Sequence, residues 1–240
     1  LNLQPTGSLP GYFKVPSAAD LFNSPAYKQG QFQVQDPNAA LAVALLDPQP
    51  DEHLLDLCSA PGGKATQALT TMEDRGLVVA ADISAARLSR VRENAQRLGL
   101  NSIRAVVRDG TAPGGEASYD RVLADVPCSA TGVLGRHPDV RWNRAADQLP
   151  ELAARQQLLL QRAYEHLKPG GVLVYSTCSL EEEENEQVVE RFLAHTPSAQ
   201  LERADLRFAD RPWAHRYIQT IPGHHPGDGS FAARIRKNTP

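Results

Sequence analysis

The sequence is poor in the residues that build disulfide frameworks and metal clusters. Its 240 residues hold three cysteines, Cys58, Cys128 and Cys178, an odd number, far apart and with no CxxC pair. That argues against a disulfide scaffold and against a cysteine zinc site, and it fits a reducing, cytoplasmic setting. No apolar run approaches the roughly 20 residues of a membrane span, so no membrane partner is expected. The first ten residues lack the charged start and apolar core of a signal peptide. No charge sign dominates: the formal net charge is -3, so any site for a polyanion would have to rest on local charge. There is no internal repeat, no low-complexity segment and no GxGxxG fingerprint.

Apolar segments alternate between strand and helix character. Residues 1–35 are rich in Pro, Gly and aromatics without a sustained period, and read as a loop-rich extension that packs on the domain or covers its site. From residue 36 to 240 the pattern is that of one domain. Asp36-Pro37 predicts a helix start, because Asp caps well and Pro suits the first helical position. Strands are expected at Leu54–Leu57, Leu77–Ala81, Ile103–Val107, Arg121–Val126 and Val172–Ser176. Helices are expected after the glycine turn at 62–63, after Ser84 and across Leu152–Leu167, the last ending in Lys168-Pro169-Gly170-Gly171. Ser179 and Glu182 have capping-box spacing for a further helix, with Glu181–Glu184 as its acidic start rather than a metal site. Tyr217–Ile221 and Phe231–Ile235 read as a final strand pair. This order predicts an α/β fold, a doubly wound and mainly parallel sheet with an antiparallel C-terminal strand.

Leu54–Leu57 runs into Cys58-Ser59-Ala60-Pro61-Gly62-Gly63-Lys64 and then into a helix. A strand, a glycine turn and a helix N-terminus together make a nucleotide-type site, where bare backbone and free N–H groups face the ligand. Asp82, at the end of the next strand, suits the ribose hydroxyls, and Asp109 suits the adenine edge. Without the dinucleotide fingerprint, S-adenosylmethionine is the expected cofactor. Asp125-Val126-Pro127-Cys128 and Ser176-Thr177-Cys178 end the next two parallel strands, on the sheet edge where ligands bind. Cysteine is often just a small buried side chain, but two of them beside a cofactor loop favour chemistry.

Three stretches carry a resemblance: Ser59–Lys64, Asp125–Gly132 and Tyr175–Ser179, the last followed by Leu180–Glu186. In them the chain resembles the RNA cytosine-5 methyltransferases, the Nol1/Nop2/Sun family, from about Gln31 to Lys237. Val34-Gln35-Asp36 and the Pro-Gly-Gly-Lys loop bring it nearest to the branch that acts on bacterial 16S ribosomal RNA. That branch usually carries an N-terminal NusB-like helical RNA-binding domain, which 35 residues cannot hold, so the chain reads as a catalytic fragment or a shorter relative. The resemblance implies that Cys178 is a covalent nucleophile and that Cys128 assists proton removal and enzyme release. It also implies that Asp125 bonds the cytosine edge beside the cofactor. Lys64 belongs either to the cofactor loop or to the catalytic centre.

Arg136, His137, Arg141 and Arg144, with Trp142 among them, suit phosphate contact and base stacking. Arg234, Arg236 and Lys237 read as a charged strand end. RNA is the expected partner, ribosomal ahead of transfer RNA, and the protein is expected to be a monomer. DNA cytosine methylation would use the cysteine of the Asp125 motif and need no Cys178, and amino-methylating enzymes place a different tetrad there. A non-catalytic RNA-binding assembly factor would not need both cysteines and the cofactor loop.

Overall fold

A computed structural model of the chain describes residues 4–5, 9–15, 21–115, 117–143 and 145–239. Thirteen of its elements position the site. They are α1 (Pro37–Leu46), β1 (His53–Asp56), α2 (Gly63–Thr71), β2 (Leu77–Asp82), α3 (Ala85–Leu98), β3 (Ile103–Val107), β4 (Tyr119–Asp125), α4 (Leu149–Glu165), β5 (Leu167–Thr177), α5 (Glu186–His195), β6 (Ala199–Glu202), β7 (Ile218–Thr220) and β8 (Ser230–Lys237). The sheet runs β3-β2-β1-β4-β5-β8-β6, and β7 also pairs with β8. The first five of these strands are mutually parallel, whereas β8 is antiparallel to β5, β6 and β7. This is the expected doubly wound sheet, and its strand order reverses between β1 and β4.

Side chains on the central strands alternate between two apolar layers. Leu54, Leu123, Val172 and Val174 face α1, α2 and α3 through Leu41, Leu69 and Leu88. Leu55, Val122, Leu173 and Tyr175 face α4 and α5 through Leu160, Val189 and Phe192. Both faces are covered, so these strands are apolar throughout. The expected caps form: Asp36 accepts the N–H of Asn38 at 2.9 Å and Ser84 that of Arg87 at 3.3 Å.

Two expectations need correction, one strand is additional, and one expectation is decided between its alternatives. The Lys168–Gly171 turn is absorbed into β5: Tyr119 pairs with Leu167 and Arg121 with Val172, so residues 168–171 bulge out of register. Ser179 and Glu182 form no capping box; α5 begins at Glu186 after a turn, because Glu184 points inward. The strand β6 carries no clear alternation in the sequence and was not expected. The described part of residues 1–35 packs on α2 and α3 and lines neither pocket of the site described below. Arg97 holds it there, donating to the carbonyls of Tyr27 and Phe32 at 3.0 and 2.9 Å and lying over the Tyr27 ring. Among the described residues no helix is long and apolar enough to cross a membrane.

Arg234 resolves the C-terminal basic run. It is 3% exposed and donates to the carbonyls of Leu45 and Leu46, at the end of α1, and to Glu202. It ties α1 to β6 and β8 and does not face a ligand. Arg234→Ala would leave these acceptors unpaired and should cost about 3–5 kcal/mol, as when a buried pair is broken. Urea unfolding would show this as a lower midpoint, and a midpoint within error of the native value would refute the role.

Candidate active site

The carboxyl ends of β1, β2, β4 and β5 meet where the strand order reverses, the place at which open α/β sheets bind ligands. The loop after β1 is held from both neighbouring strands: Leu57 N–H donates to the Leu123 carbonyl at 2.9 Å and Ser59 N–H to the Ala81 carbonyl at 2.8 Å. Gly62 stands at φ 100°, which disfavours any side chain, and a Cβ there would meet Val91 of α3 at 3.0 Å. It lets α2 and α3 close together. Gly63 is different: a Cβ on it would meet nothing within 4 Å. The first turn of α2 also has no side-chain cap. Bare backbone and an uncapped helix start are thus turned to open space.

Two pockets flank this edge. The first encloses about 220 Å³ and is lined by Cys58, Ala60, Asp82, Ile83, Asp109 and Arg155, among others. Asp82 is aimed by its neighbours: one oxygen accepts Ala60 N–H at 3.2 Å, the other accepts Ser84 N–H at 2.9 Å, and Arg87 lies 3.4 Å away. A carboxylate has about four lone-pair sites, so acceptor capacity remains. Asp109 accepts from Thr111 N–H and Oγ1 at 2.9 and 2.7 Å, and these bonds hold its carboxyl below the usual range. Ile83 is 57% exposed and presents an apolar face into the pocket. Ile83 and Arg155 are absent from the sequence reading. The sequence marks Ile83 only as an apolar residue directly after the strand-end acid, and Arg155 looks like any helix-surface arginine. Burial pushes the Cys58 thiol far up, so it is no nucleophile at neutral pH. The loop, the acid and the apolar face fit a nucleoside-bearing cofactor.

The second pocket encloses about 270 Å³ and is lined by Asn38, Lys64, Val133, His137, Ser176 and Phe231, among others. Asp125, Val126 and Cys178 line both pockets and so form the wall between them. Asp125 accepts Lys64 Nζ at 2.7 Å on one oxygen and Ser176 Oγ at 2.7 Å on the other. Burial works against the Lys64 ammonium, but the charge and hydrogen bond of Asp125 outweigh it and its pKa stands above the ordinary lysine value. Lys64 therefore stays charged, on the catalytic side of the loop.

Across this wall the sulfurs of Cys128 and Cys178 lie 3.4 Å apart. The two are not equivalent, and Cys128 is the more strongly held as a thiol. Its hydrogen bond to Cys178, then burial, then the charges of Cys178 and Glu184 hold it well above the usual thiol range. The same hydrogen bond lowers Cys178 below the usual value, helped by Lys64 and opposed by burial and Asp125. Cys178 is thus the more acidic member of the pair.

The basic loop is only partly assembled at the site. Arg136 and His137 line the second pocket, but Arg136 is claimed by Asp228, with Nε 2.6 Å from the carboxylate. Arg141 and Trp142 lie outside the pocket on the one-turn helix Val140–Asn143, with Trp142 83% exposed. Arg144 lies outside the described residues. The sequence reading missed Asn38 and Asp228, which close the rim together: Asn38 Nδ2 donates to the Asp228 carbonyl at 2.6 Å.

One buried group stands behind the wall. Asp56, at the end of β1, is 1% exposed and neither of its oxygens has a hydrogen-bond partner in the structure. Burial pushes its carboxyl up to about 7. A carboxylic acid whose pKa is raised on folding adds stability at low pH that is lost as pH climbs towards the folded value. Relative to Asp56→Asn, the native protein should therefore lose about 2 kcal/mol between pH 5 and pH 7. Thermal melts of both proteins across that range should diverge, and parallel curves would contradict the assignment.

Comparison with known proteins agrees with this geometry. The family model described as 16S rRNA methyltransferase RsmB/F matches residues 43–236. The ribosomal RNA small subunit methyltransferase B of Enterobacter sp. (strain 638) is 42% identical over 233 residues, 95% of this chain and 52% of its own. That of Yersinia pseudotuberculosis serotype O:1b (strain IP 31758) is 46% identical over 216 residues, 89% of this chain and 48% of its own. The chain thus spans about half the length of these curated relatives. The structure of NSun6 from Pyrococcus horikoshii with SFG aligns at a TM-score of 0.81 and 31% identity, covering 95% of this chain and 58% of that one. The fold and the cofactor, S-adenosylmethionine, are those of the S-adenosylmethionine-dependent methyltransferases. With four-fifths of its length matched by the family model, the chain belongs to the RsmB/F family of 16S rRNA methyltransferases.

Proposed function

We propose that this domain methylates carbon-5 of a cytosine in RNA, 16S ribosomal RNA in the first place, through a transient covalent bond to Cys178. One observation carries the reading: two cysteine sulfurs 3.4 Å apart, Cys178 on the wall between the two pockets and Cys128 beside it on the lining of the first. In this reading the pocket of Asp82, Ile83 and Asp109 takes S-adenosylmethionine, and the pocket of Lys64, Asn38 and Ser176 takes the base. Bound there, the cofactor supplies an electrophilic methyl group. Asp82 would hold the ribose hydroxyls, and Ile83 and Asp109 the adenine.

Carbon-5 of cytosine is a weak nucleophile. Attack of the Cys178 thiolate on carbon-6 forms an S–C bond and makes carbon-5 electron-rich, splitting one hard step into two. Asp125 and Lys64 face the polar edge of the base, where Asp125 accepts from the 4-amino group and the Lys64 ammonium lends a proton to ring nitrogen 3 while the charge brought by the thiolate resides there. Carbon-5 takes the methyl group and must then lose its proton. Cys128 is suited to this moment. Its strongest restraint is the hydrogen bond to anionic Cys178, and that partner loses its charge when the S–C bond forms. Cys128 passes its own proton to water in the opened pocket, and the thiolate so formed can take the carbon-5 proton. The electron pair left at carbon-5 restores the ring double bond and expels Cys178 as thiolate. The base must leave its stack to reach the pocket, so the substrate is a loop or a locally opened helix. Exposed Trp142, with Arg141 beside it, offers a stacking surface for RNA.

The two cysteines should fail differently. Cys178→Ala should retain cofactor binding and form no protein–RNA adduct. Cys128→Ala should trap the adduct as a shifted band on a denaturing gel. A band with Cys178→Ala alone would reverse the roles. Asp82→Ala should weaken S-adenosylmethionine binding by at least about tenfold, since a charge-assisted hydrogen bond is worth about 1.5–3 kcal/mol. Calorimetry would measure it, and an unchanged dissociation constant would move the cofactor elsewhere.

A further inference from the structure

Glu184 is fully buried, in the turn between β5 and α5. One of its oxygens accepts Ser129 N–H at 2.9 Å and Gln156 Nε2 at 2.8 Å, and the other accepts Ser129 Oγ. Gln156 also donates to the Pro127 carbonyl at 2.9 Å. Ser129 is thus fastened directly to this carboxylate and Pro127 through Gln156, and the carboxylate itself follows Cys178 in the chain. Further bonds close the seam: Gly132 N–H to the Cys178 carbonyl at 2.9 Å, Leu180 N–H to Thr131 Oγ1 at 2.9 Å, and Ser129 Oγ to Ser179 Oγ at 3.0 Å.

Seam-making alone does not call for a charge. An ion buried without a cationic partner costs several kcal/mol, and a glutamine would accept the same backbone bond. The charge instead lies beside one sulfur of the pair. Cys128 faces Glu184, Cys178 and the buried Tyr175 phenol, whose hydroxyl donates to the Glu184 carbonyl at 2.5 Å. Cys178 faces Asp125 and the Lys64 ammonium. The cation stands on the Cys178 side and the buried anion on the Cys128 side.

We propose that Glu184 is the positioning residue of the thiol pair: it clamps the Cys128 loop against the Cys178 loop and keeps the shared proton on Cys128, so that the negative charge sits on Cys178. This rests on the reading of Cys178 as the attacking sulfur. It explains why one glutamate of the run Glu181–Glu184 turns inward while helix α5 starts only after it.

The test is iodoacetamide labelling at neutral pH without RNA, read for each cysteine by peptide mass spectrometry. Glu184→Gln keeps the size and one acceptor oxygen and removes the charge. With Cys128 present, it should slow Cys178 labelling by about tenfold, the effect of one pKa unit, and raise Cys128 labelling. In a Cys128→Ala background the same change should leave Cys178 labelling undiminished, because Glu184 acts through Cys128. Unchanged labelling in the first background, or an equal loss in both, would overturn the proposal; the equal loss would reduce Glu184 to structural support. If Glu184→Gln shows no cooperative melt, Glu184→Asp replaces it, with the charge drawn back by one methylene and the same criteria. Failure of the Cys128→Ala protein to trap any RNA adduct would sink the covalent reading while the labelling cycle still reports on Glu184.

Discussion

The register between β4 and β5 places Asp125 opposite Ser176, and Val126 N–H continues the ladder to the Ser176 carbonyl at 3.0 Å. The site depends on this pairing. Cys128 lies three residues beyond Asp125 and Cys178 two beyond Ser176, so parallel strands carry both sulfurs off the same edge side by side. A slip of one residue would turn every side chain on a strand to the other face. It would take Leu123 and Val174 out of one apolar layer and Val122 and Leu173 out of the other. The same packing that stabilises the sheet thus sets the sulfur separation, and the irregularity at residues 168–171 lies at the far end of β5, where it disturbs nothing chemical.

On that frame the two thiols stand in unequal surroundings. Neither sulfur is reactive by burial alone, since burial opposes both thiolates. The asymmetry comes from outside the pair: Lys64 on one side, Glu184 on the other. Lys64 is delivered by the first turn of α2, directly after the glycine cradle. The loop that faces the first pocket therefore also supplies the cation of the second. Asp125 joins the two functions in the same way, since it lines both pockets and holds the lysine.

The second pocket is closed by parts distant in the chain. Asn38, at the start of α1, bonds to residues 226 and 228 before β8. Arg136 reaches the same loop through Asp228. The antiparallel strand β8 thus does more than extend the sheet: pairing with β5, it brings its preceding loop to the mouth of the pocket. The described part of the N-terminal extension braces α2 and α3 from behind and lines neither pocket.

Much of this is local in the sequence. Strand, glycine turn and helix occupy adjacent residues at 54–72, and the cap at Ser84 and the acid at Asp82 need only their neighbours. The parallel sheet follows from apolar runs separated by helix-length intervals, and both cysteine motifs lie directly on strand ends. Long-range pairing decided the rest. Glu184 has the same side chain as Glu181, Glu182 and Glu183, and only the apposition of Ser129 and Gln156 makes it a buried acceptor. Arg136 and Arg234 look like solvated cations until Asp228, Glu202 and the carbonyls of α1 are folded against them. A carboxylate or guanidinium has no preferred partner within its own segment. Its charge is assigned by what the sheet brings within about 3 Å, and that distance belongs to the tertiary structure.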